Sequence, residues 1–384
     1  MVIKEIMPEF IPGAKIKVLW IWWCGCKAIN RMVSEWLEWV SFVWINTDAQ
    51  DLATCAANEK VNIWLNLTKW LWAGANPEIW RKAAEESEAE IKAILQDTDM
   101  VFITLWLWWW TGTWAWPVVA SIAKSMWILT VAIITKPFSF EGKKRDFNAE
   151  EWLKKLRENV DTLIVIPNDK IFTVIDKKTS FRQAFIMIDK ILFLWVQWIS
   201  DLIVKPGDIN IDFADIKVIM QNSGNALLWI GYGAWEKRAI DAARKAIENP
   251  LLETNLDWAK NIIFSVTWWH DLTPVEVKEA ASVVEEIIDA DVNMIWWMTF
   301  DESYEDEVKV IIIATWFQEQ SKDEILKTPK RDILWRPTRD AENFITRWLK
   351  KEIKNDEDEE RKEVKKPQED YETPPFITKK LKAN

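Results

Sequence analysis

The stretch LWLWWWTGTWAWP, residues 105–117, sets six tryptophans around a lone Thr-Gly-Thr directly behind the apolar run VFIT. An apolar run that ends in a tight loop asks for small residues, because glycine alone adopts positive φ at little cost and lets backbone groups approach a ligand. Here the loop carries the bulkiest side chain instead. The whole chain repeats the pattern, with 30 Trp and only 9 Gly in 384 residues, although glycine ordinarily makes up about 7% of a globular protein. The two counts look exchanged. Read with Trp standing in for Gly, the stretch becomes LGLGGGTGTGAGP, a glycine-rich loop at the end of a buried strand.

Working outward, the loop belongs to a chain long enough for two domains, with a net charge of -11 that argues against nucleic acid as a primary partner. Cys24, Cys26 and Cys55 are an odd set without paired spacing, so a disulfide framework is not expected and a reducing cytoplasm is favoured. With only His270 beside them they make a poor metal site. The N-terminus MVIKEIMPEF lacks the uncharged apolar run of a signal peptide, and the apolar segment at 185–204 is interrupted by Asp189, Lys190 and Asp201. A cytoplasmic protein is expected.

KIKVLWI (15–21), SFVWINTD, MVFITL, ILTVAIIT and DTLIVIPND read as buried strands, separated by helical segments such as AINRMVSEWLEWV and PEIWRKAAEESEAEIKAILQ, the latter with Asn76 as cap and Pro77 in its first turn. Alternation of this kind predicts a doubly wound parallel sheet with ligands at the carboxyl ends of its strands. From Phe181 to Ile203, apolar residues at spacings of three and four predict a long helix buried between two bodies. Beyond it, helices (DFADIKVIMQNSG, EKRAIDAARKAIE, PVEVKEAASVVEEII) and then strands (NIIFSVTW, DVNMIWWMTF, EVKVIIIATWF) predict a smaller α+β domain. The expected organisation is an N-terminal arm (1–14), a nucleotide domain (15–178), a central helix (179–207), the α+β domain (208–318), a flexible charged linker (319–369) and a C-terminal peptide (370–384).

A second loop, WIWWCGCKAIN at 20–30, reads as GIGGCGCKAIN under the same substitution, a turn whose backbone N–H groups suit a phosphate at a helix N-terminus. Together with INTDAQ (45–50), AGANPEI (73–79), the TGT core (111–113), TKPFSFEGKKR (135–145), DTLIVIPND (161–169), the residues around Gln197, INIDFADI (209–216) and NPLLET (249–254), these loops resemble FtsZ, the cell-division GTPases of the tubulin superfamily. The resemblance runs from residue 15 to 317. It implies a tubulin/FtsZ-like fold and a site for GTP or GDP with a Mg2+ ion carried by the nucleotide. Trp23, Cys24, Gly25, Cys26 and Lys27 would hold phosphate, as would Trp108, Trp109, Trp110, Thr111 and Gly112, with a third contact from Ala73, Gly74 and Ala75. Glu141 and Arg145 would flank the sugar, and Asn168 and Asp189 would contact ribose and guanine. The family's catalytic residues fall on Asp212 and Asp215, with Asn210 beside them, acting on the nucleotide of an adjacent subunit in a head-to-tail filament. Taken alone, Asp-x-x-Asp is usually a solvated helix start; phosphoryl transfer nevertheless needs an oriented water, which two carboxylates on one helix face can supply.

Family glycines read Trp at Trp20, Trp22, Trp23, Trp70, Trp72, Trp80, Trp106, Trp108, Trp109, Trp110, Trp114 and Trp127, among others. Genetic codes differ in reading UGA as glycine or as tryptophan, so the pattern is that of misread glycine codons. Cys24, Cys26 and Lys27 depart from the family's Gly-Gly-Asn in a different way. Near the end of the chain, DYETPPFITKK resembles the family's C-terminal peptide, which implies docking of Thr373, Pro374, Pro375, Phe376 and Ile377 onto membrane-anchoring division proteins. The leading expectation is a polymerising GTPase of the division site. The alternative is a non-hydrolysing filament or scaffold of the same fold with a blocked nucleotide site; a membrane-surface protein fits poorly, because the tryptophans form no amphipathic stripe.

Overall fold

The apolar runs become strands of one sheet, because a run buried on both faces has no polar face to alternate with. The computed structural model describes residues 13–21, 40–46, 49–63, 82, 84–107, 115–173, 179–205, 212–247, 259–269, 272–288, 291–301, 304 and 307–315. In chain order these form β1 (Ile16–Ile21), β2 (Val40–Asn46), α1 (Ala49–Thr54), β3 (Glu59–Asn62), α2 (Glu88–Leu95), β4 (Met100–Trp106), α3 (Trp116–Ser125) and β5 (Leu129–Lys136). A 3-10 turn (Ser139–Glu141), α4 (Lys143–Asn159), β6 (Thr162–Pro167) and a second 3-10 turn (Asn168–Thr173) lead to the long helix α5 (Phe181–Val204). After it come α6 (Phe213–Met220), β7 (Gly224–Ala234), α7 (Arg238–Ile247), β8 (Asn261–Trp268), α8 (Pro274–Glu285), β9 (Asn293–Phe300) and β10 (Glu307–Thr315).

The sheet order is β3-β2-β1-β4-β5-β6-β7-β10-β8-β9. Its first six strands are all parallel, the arrangement of a doubly wound nucleotide fold. Leu19, Val43, Ile103 and Ile134 from these strands share a core with Val119 and Ala123 of α3 and Trp152 and Leu156 of α4. Helix α5 is buried over most of its circumference, as its apolar spacing predicts. Its start is fixed by a capping box, with Ser180 Oγ accepting from Gln183 N at 3.3 Å and Gln183 Oε1 accepting from Ser180 N at 2.8 Å. No described helix is long and apolar enough to cross a membrane.

Two strands were not legible in the sequence. The short β3 is one. The other is β7, which pairs parallel with β6 through Thr162–Gly224, Leu163–Asn225 and Ile164–Ala226 and so joins both halves into one continuous sheet. β7 carries Gly231 and Gly233 in a strand interior, which weakens its apolar pattern. Both are required: a Cβ on Gly231 would lie 1.9 Å from Ala242 O, and one on Gly233 1.7 Å from Arg238 O, because α7 lies directly on the strand. The second half therefore interleaves helices and strands instead of grouping them. The N-terminal arm and everything beyond Thr315, including the linker and C-terminal peptide, lie outside the described residues, as do residues 64–81 with Asn76 and Pro77.

Among the described residues four non-glycines have positive φ: Asp97 (57°), Trp127 (62°), Asn222 (52°) and Trp235 (71°). Asp and Asn are at home there, whereas a bulky side chain is not. Trp127 closes α3. Its N–H donates to Lys124 O at 3.1 Å and the next N–H, of Ile128, donates to Ala123 O at 3.2 Å, the bond pair of a helix stop whose left-handed residue is ordinarily glycine. Elsewhere tryptophan is buried at a different cost. The indole N–H groups of Trp20, Trp44 and Trp297 have no hydrogen-bond partner, each an uncompensated polar burial of about 1–3 kcal/mol.

Candidate functional site

At the carboxyl ends of β5 and β6 the chain folds back in two 3-10 turns that hold each other. Ser139 in the first donates its backbone N–H to Asp169 Oδ1 at 3.0 Å and its hydroxyl to the same oxygen at 3.2 Å. Glu141 closes the first turn by accepting from Phe138 N at 2.8 Å, and its other carboxylate oxygen pairs with Arg145 one helical turn on. The Glu141 side chain is only 4% exposed, so this pair is a fixed element and not a loose surface contact. Asn168 leaves β6 almost fully buried, yet its side-chain carbonyl Oδ1 has no partner. A buried acceptor left open in this way is built to receive a donor such as a sugar hydroxyl or a ring N–H.

Beside these groups stands an aromatic cluster. Phe138 stacks on Phe140 at 4.9 Å and approaches Phe172 at 5.3 Å and Phe185 at 6.0 Å, while Phe140 meets Phe181 at 6.0 Å. Phe140, Phe172 and Phe181 are about half or more exposed. A cluster of this kind, beside an open acceptor, suits a planar heterocycle. Phe185 lies on α5 one turn before the buried Asp189, which places the two on one side of the helix. Glu141, Arg145, Asn168 and the N-terminal half of α5 with Asp189 thus belong to one end of the sheet. The aromatic members went unassigned in the sequence, although Phe138 and Phe140 sit within TKPFSFEGKKR.

Asp212 and Asp215 are elsewhere. Asp212 is the N-cap of α6, its carboxylate accepting from Ala214 N at 3.2 Å, and both carboxylates are exposed. Helix α6 is fastened to the opposite end of the sheet: Lys217 Nζ donates to Trp127 O, two residues before β5 begins, at 3.2 Å, and Thr162 Oγ1 at the start of β6 donates to Met220 O. One length of strand therefore separates this pair from Glu141 and Asn168. A strand of six residues spans about 20 Å, beyond the reach of any carboxylate. Trp23 to Lys27, Ala73 to Ala75, Trp108 to Gly112 and Asn210 lie outside the described residues. Among the described residues no group of three or more His, Cys, Asp or Glu could hold a metal ion.

Residues 15–176 match the Tubulin/FtsZ family, GTPase domain, and residues 224–318 match the FtsZ family, C-terminal domain. The chain is 42% identical to FtsZ from M. jannaschii in a structure described as an empty dimer, with a TM-score of 0.72 over 79% of this chain and 89% of that one. A point mutant of the M. jannaschii protein gives 42% identity and a TM-score of 0.71 over 79% and 91%. CetZ1 from Haloferax volcanii, a GDP-bound monomer, shares the fold at 18% identity, with a TM-score of 0.63 over 78% of this chain and 93% of that one. The chain belongs to the Tubulin/FtsZ family. Its first domain is a GTPase domain, which makes GTP and GDP its nucleotides.

Proposed function

We propose that the chain assembles head to tail into filaments of the division site and hydrolyses GTP where one subunit's α6 meets the nucleotide of the next. Guanine and ribose lie against Phe185, Asn168, Asp189 and the Glu141–Arg145 pair, with the phosphates and their Mg2+ toward the loops at 23–27, 73–75 and 108–112. Asp212 and Asp215, with Asn210, orient the attacking water from the neighbouring subunit. The observation that carries this reading is the separation of the two half-sites to opposite ends of one sheet, which a head-to-tail contact brings together. The C-terminal peptide around Pro374 and Phe376 then tethers the filament to membrane-anchoring proteins, and the domain limits are those read from the sequence.

We propose further that the phosphate-loop tryptophans stand where the working protein has glycine. Support comes from Trp127 and Trp235, which hold a backbone conformation suited to glycine. The test uses the chain with glycine restored in the loops. GTP turnover per subunit should rise with protein concentration, and Asp212→Ala should still bind GTP and assemble while hydrolysing poorly. Unchanged turnover in that variant removes α6 from the reaction. GTP binding without any turnover in the restored parent favours the non-hydrolysing scaffold.

A further inference from the structure

Helix α6 carries Asp212 and Asp215 at its start and is gripped at its end. Ile216, Ile219 and Met220 are fully buried, whereas Asp212, Ala214 and Asp215 are exposed. The last carbonyls of a helix have no partner within it, and a left-handed glycine stop ordinarily brings N–H groups back to them. α6 has no such stop, since Gln221 runs on in an extended conformation. Side chains from both halves of the sheet take its place. Thr162 Oγ1, at the first residue of β6, donates to Met220 O, and Thr315 Oγ1, at the last residue of β10, donates to Ile219 O at 3.2 Å. Both threonines are fully buried. Because the one hydroxyl proton of Thr162 goes to Met220 O, Ser223 Oγ, 2.9 Å away, donates to Thr162 Oγ1 in turn. Asp161, next to Thr162, accepts from Asn222 N at 3.3 Å and from Thr130 N at 2.9 Å. The turn behind α6 is thereby tied to the starts of β5 and β6.

We propose that Thr162 is a positioning residue of the hydrolytic half-site: through Met220 and Ser223 it sets the angle at which α6 presents Asp212 and Asp215 to the adjacent subunit. The inference rests on the reading of those two carboxylates as acting on the neighbour's nucleotide. Burial of Ile216, Ile219 and Met220 keeps α6 on the sheet, but apolar contact is non-directional and tolerates a small tilt. A hydrogen bond to a carbonyl is directional and does not. Helix length sets the leverage. α6 has 8 residues, so Asp212 at its N-cap stands about 12 Å from Met220 along the axis. A tilt of roughly 5° about the last turn moves Asp212 by about 1 Å, and a misplacement of that size can cost about a hundredfold in rate. The nucleotide end of the same subunit is out of reach of this effect, because Thr162 begins β6 and Asn168 follows the strand's other end.

The test compares Thr162→Val, which keeps the shape and loses the hydroxyl, with Thr162→Ser, which keeps the hydroxyl, in the full chain with glycine restored in the loops. Thr162→Val should lower turnover at saturating GTP by about ten- to a hundredfold, with KM for GTP within about twofold of the parent. Thr162→Ser should stay within about threefold of the parent's turnover, although it gives up a buried methyl group. A Thr162 that merely held β6 together would act on Asn168 at the strand's far end and raise KM instead. Thr315→Val, which frees the adjoining carbonyl of Ile219, should show the same split and serves where Thr162→Val does not fold. Amide exchange on the tryptophan-bearing chain without nucleotide reads the grip independently of turnover: residues 213–221 should exchange about tenfold faster in Thr162→Val and at about the parent's rate in Thr162→Ser. Parental turnover in Thr162→Val beside an inactive Asp212→Ala, a KM that rises as far as turnover falls, or unchanged exchange over 213–221 would each overturn this inference alone. Asp212→Ala with the parent's turnover would overturn both it and the reading on which it rests.

Discussion

Replacing Trp127 by glycine should stabilise the protein, and the size of the effect can be worked from the backbone. Trp127 occupies the left-handed position of the α3 stop with φ 62°, and Trp235 a similar conformation after β7 with φ 71°. A side chain with a Cβ pays roughly 1–2 kcal/mol there. Glycine removes that cost but adds about 0.5–1 kcal/mol of unfolded-chain entropy, which leaves a net gain of about 1 kcal/mol per site. Neither indole contributes packing that would offset the gain, since both residues are 79% exposed. The one bond that Trp127 accepts, from Lys217 Nζ at 3.2 Å, goes to its backbone carbonyl and survives the change. The sites lie on separate elements with no shared partner, so the double variant should gain about 2 kcal/mol. Urea unfolding measures this directly, and alanine is the control: Trp127→Ala and Trp235→Ala remove the indole but keep the Cβ, so they should recover little. Alanine variants as stable as the glycine variants, or glycine variants no more stable than the parent, would refute the reasoning from backbone conformation.

Other positions test other parts of the structure. Asp212→Asn keeps an N-cap acceptor and should leave stability within about 0.5 kcal/mol of the parent, while abolishing most GTP turnover in the glycine-restored chain; equal losses of stability and turnover would reduce Asp212 to a cap. Gly231→Ala should cost about 3 kcal/mol or prevent folding, since its Cβ would meet Ala242 O at 1.9 Å, and a near-neutral result by urea unfolding would contradict the packing of α7 on β7. Burial raises the Glu276 carboxyl, but hydrogen bonds from Thr273 and the Arg238 pair outweigh it and lower it overall. Its contribution is therefore present above the ordinary carboxylate range and lost as pH falls through the lowered value; Glu276→Gln should destabilise by about 1 kcal/mol at neutral pH and by much less in acid, and a pH-independent difference would show that the charge has no part. Calorimetric titration of GTP-Mg should give no measurable binding to the chain carrying Trp108, Trp109 and Trp110 and clear binding once they are glycine, whereas tight binding to the first would remove these loops from the phosphate site.

How much of this was legible depended on which physical signal each element carries. The parallel strands announced themselves, because ILTVAIIT and its companions are buried on both faces and have no other use for such runs. Helix α5 was equally plain, and its limits differ from the expected Phe181–Ile203 by a single residue. β7 was hidden because Gly231 and Gly233 look like breaks within the strand; the reason for them is α7, which begins soon after the strand ends and folds back onto it, a packing that the strand's own residues do not show. At the candidate site, Glu141, Arg145 and Asn168 were singled out through the motif and the two 3-10 turns bring them to one end of the sheet, whereas the aromatic cluster beside them stayed unassigned, since phenylalanine beside an apolar run reads as core.

The tryptophans divide the same way. Where the backbone is extended, as at Trp44 and Trp229, the indole is absorbed into the core and the strand survives, at the cost of an unpaired N–H in the case of Trp44. Where the chain must turn left-handed, as at Trp127 and Trp235, nothing absorbs it and the ring stands in solvent. Backbone conformation is dictated by the rest of the fold, and a side chain can only comply with it or protest. That is why the turn after α3 still shows the hydrogen bonds of a glycine stop while carrying the residue least suited to it. A phosphate loop imposes the same demand at several consecutive positions and adds the need for open space above them, which is why glycine at positions 108–110 is the change that nucleotide binding is expected to require.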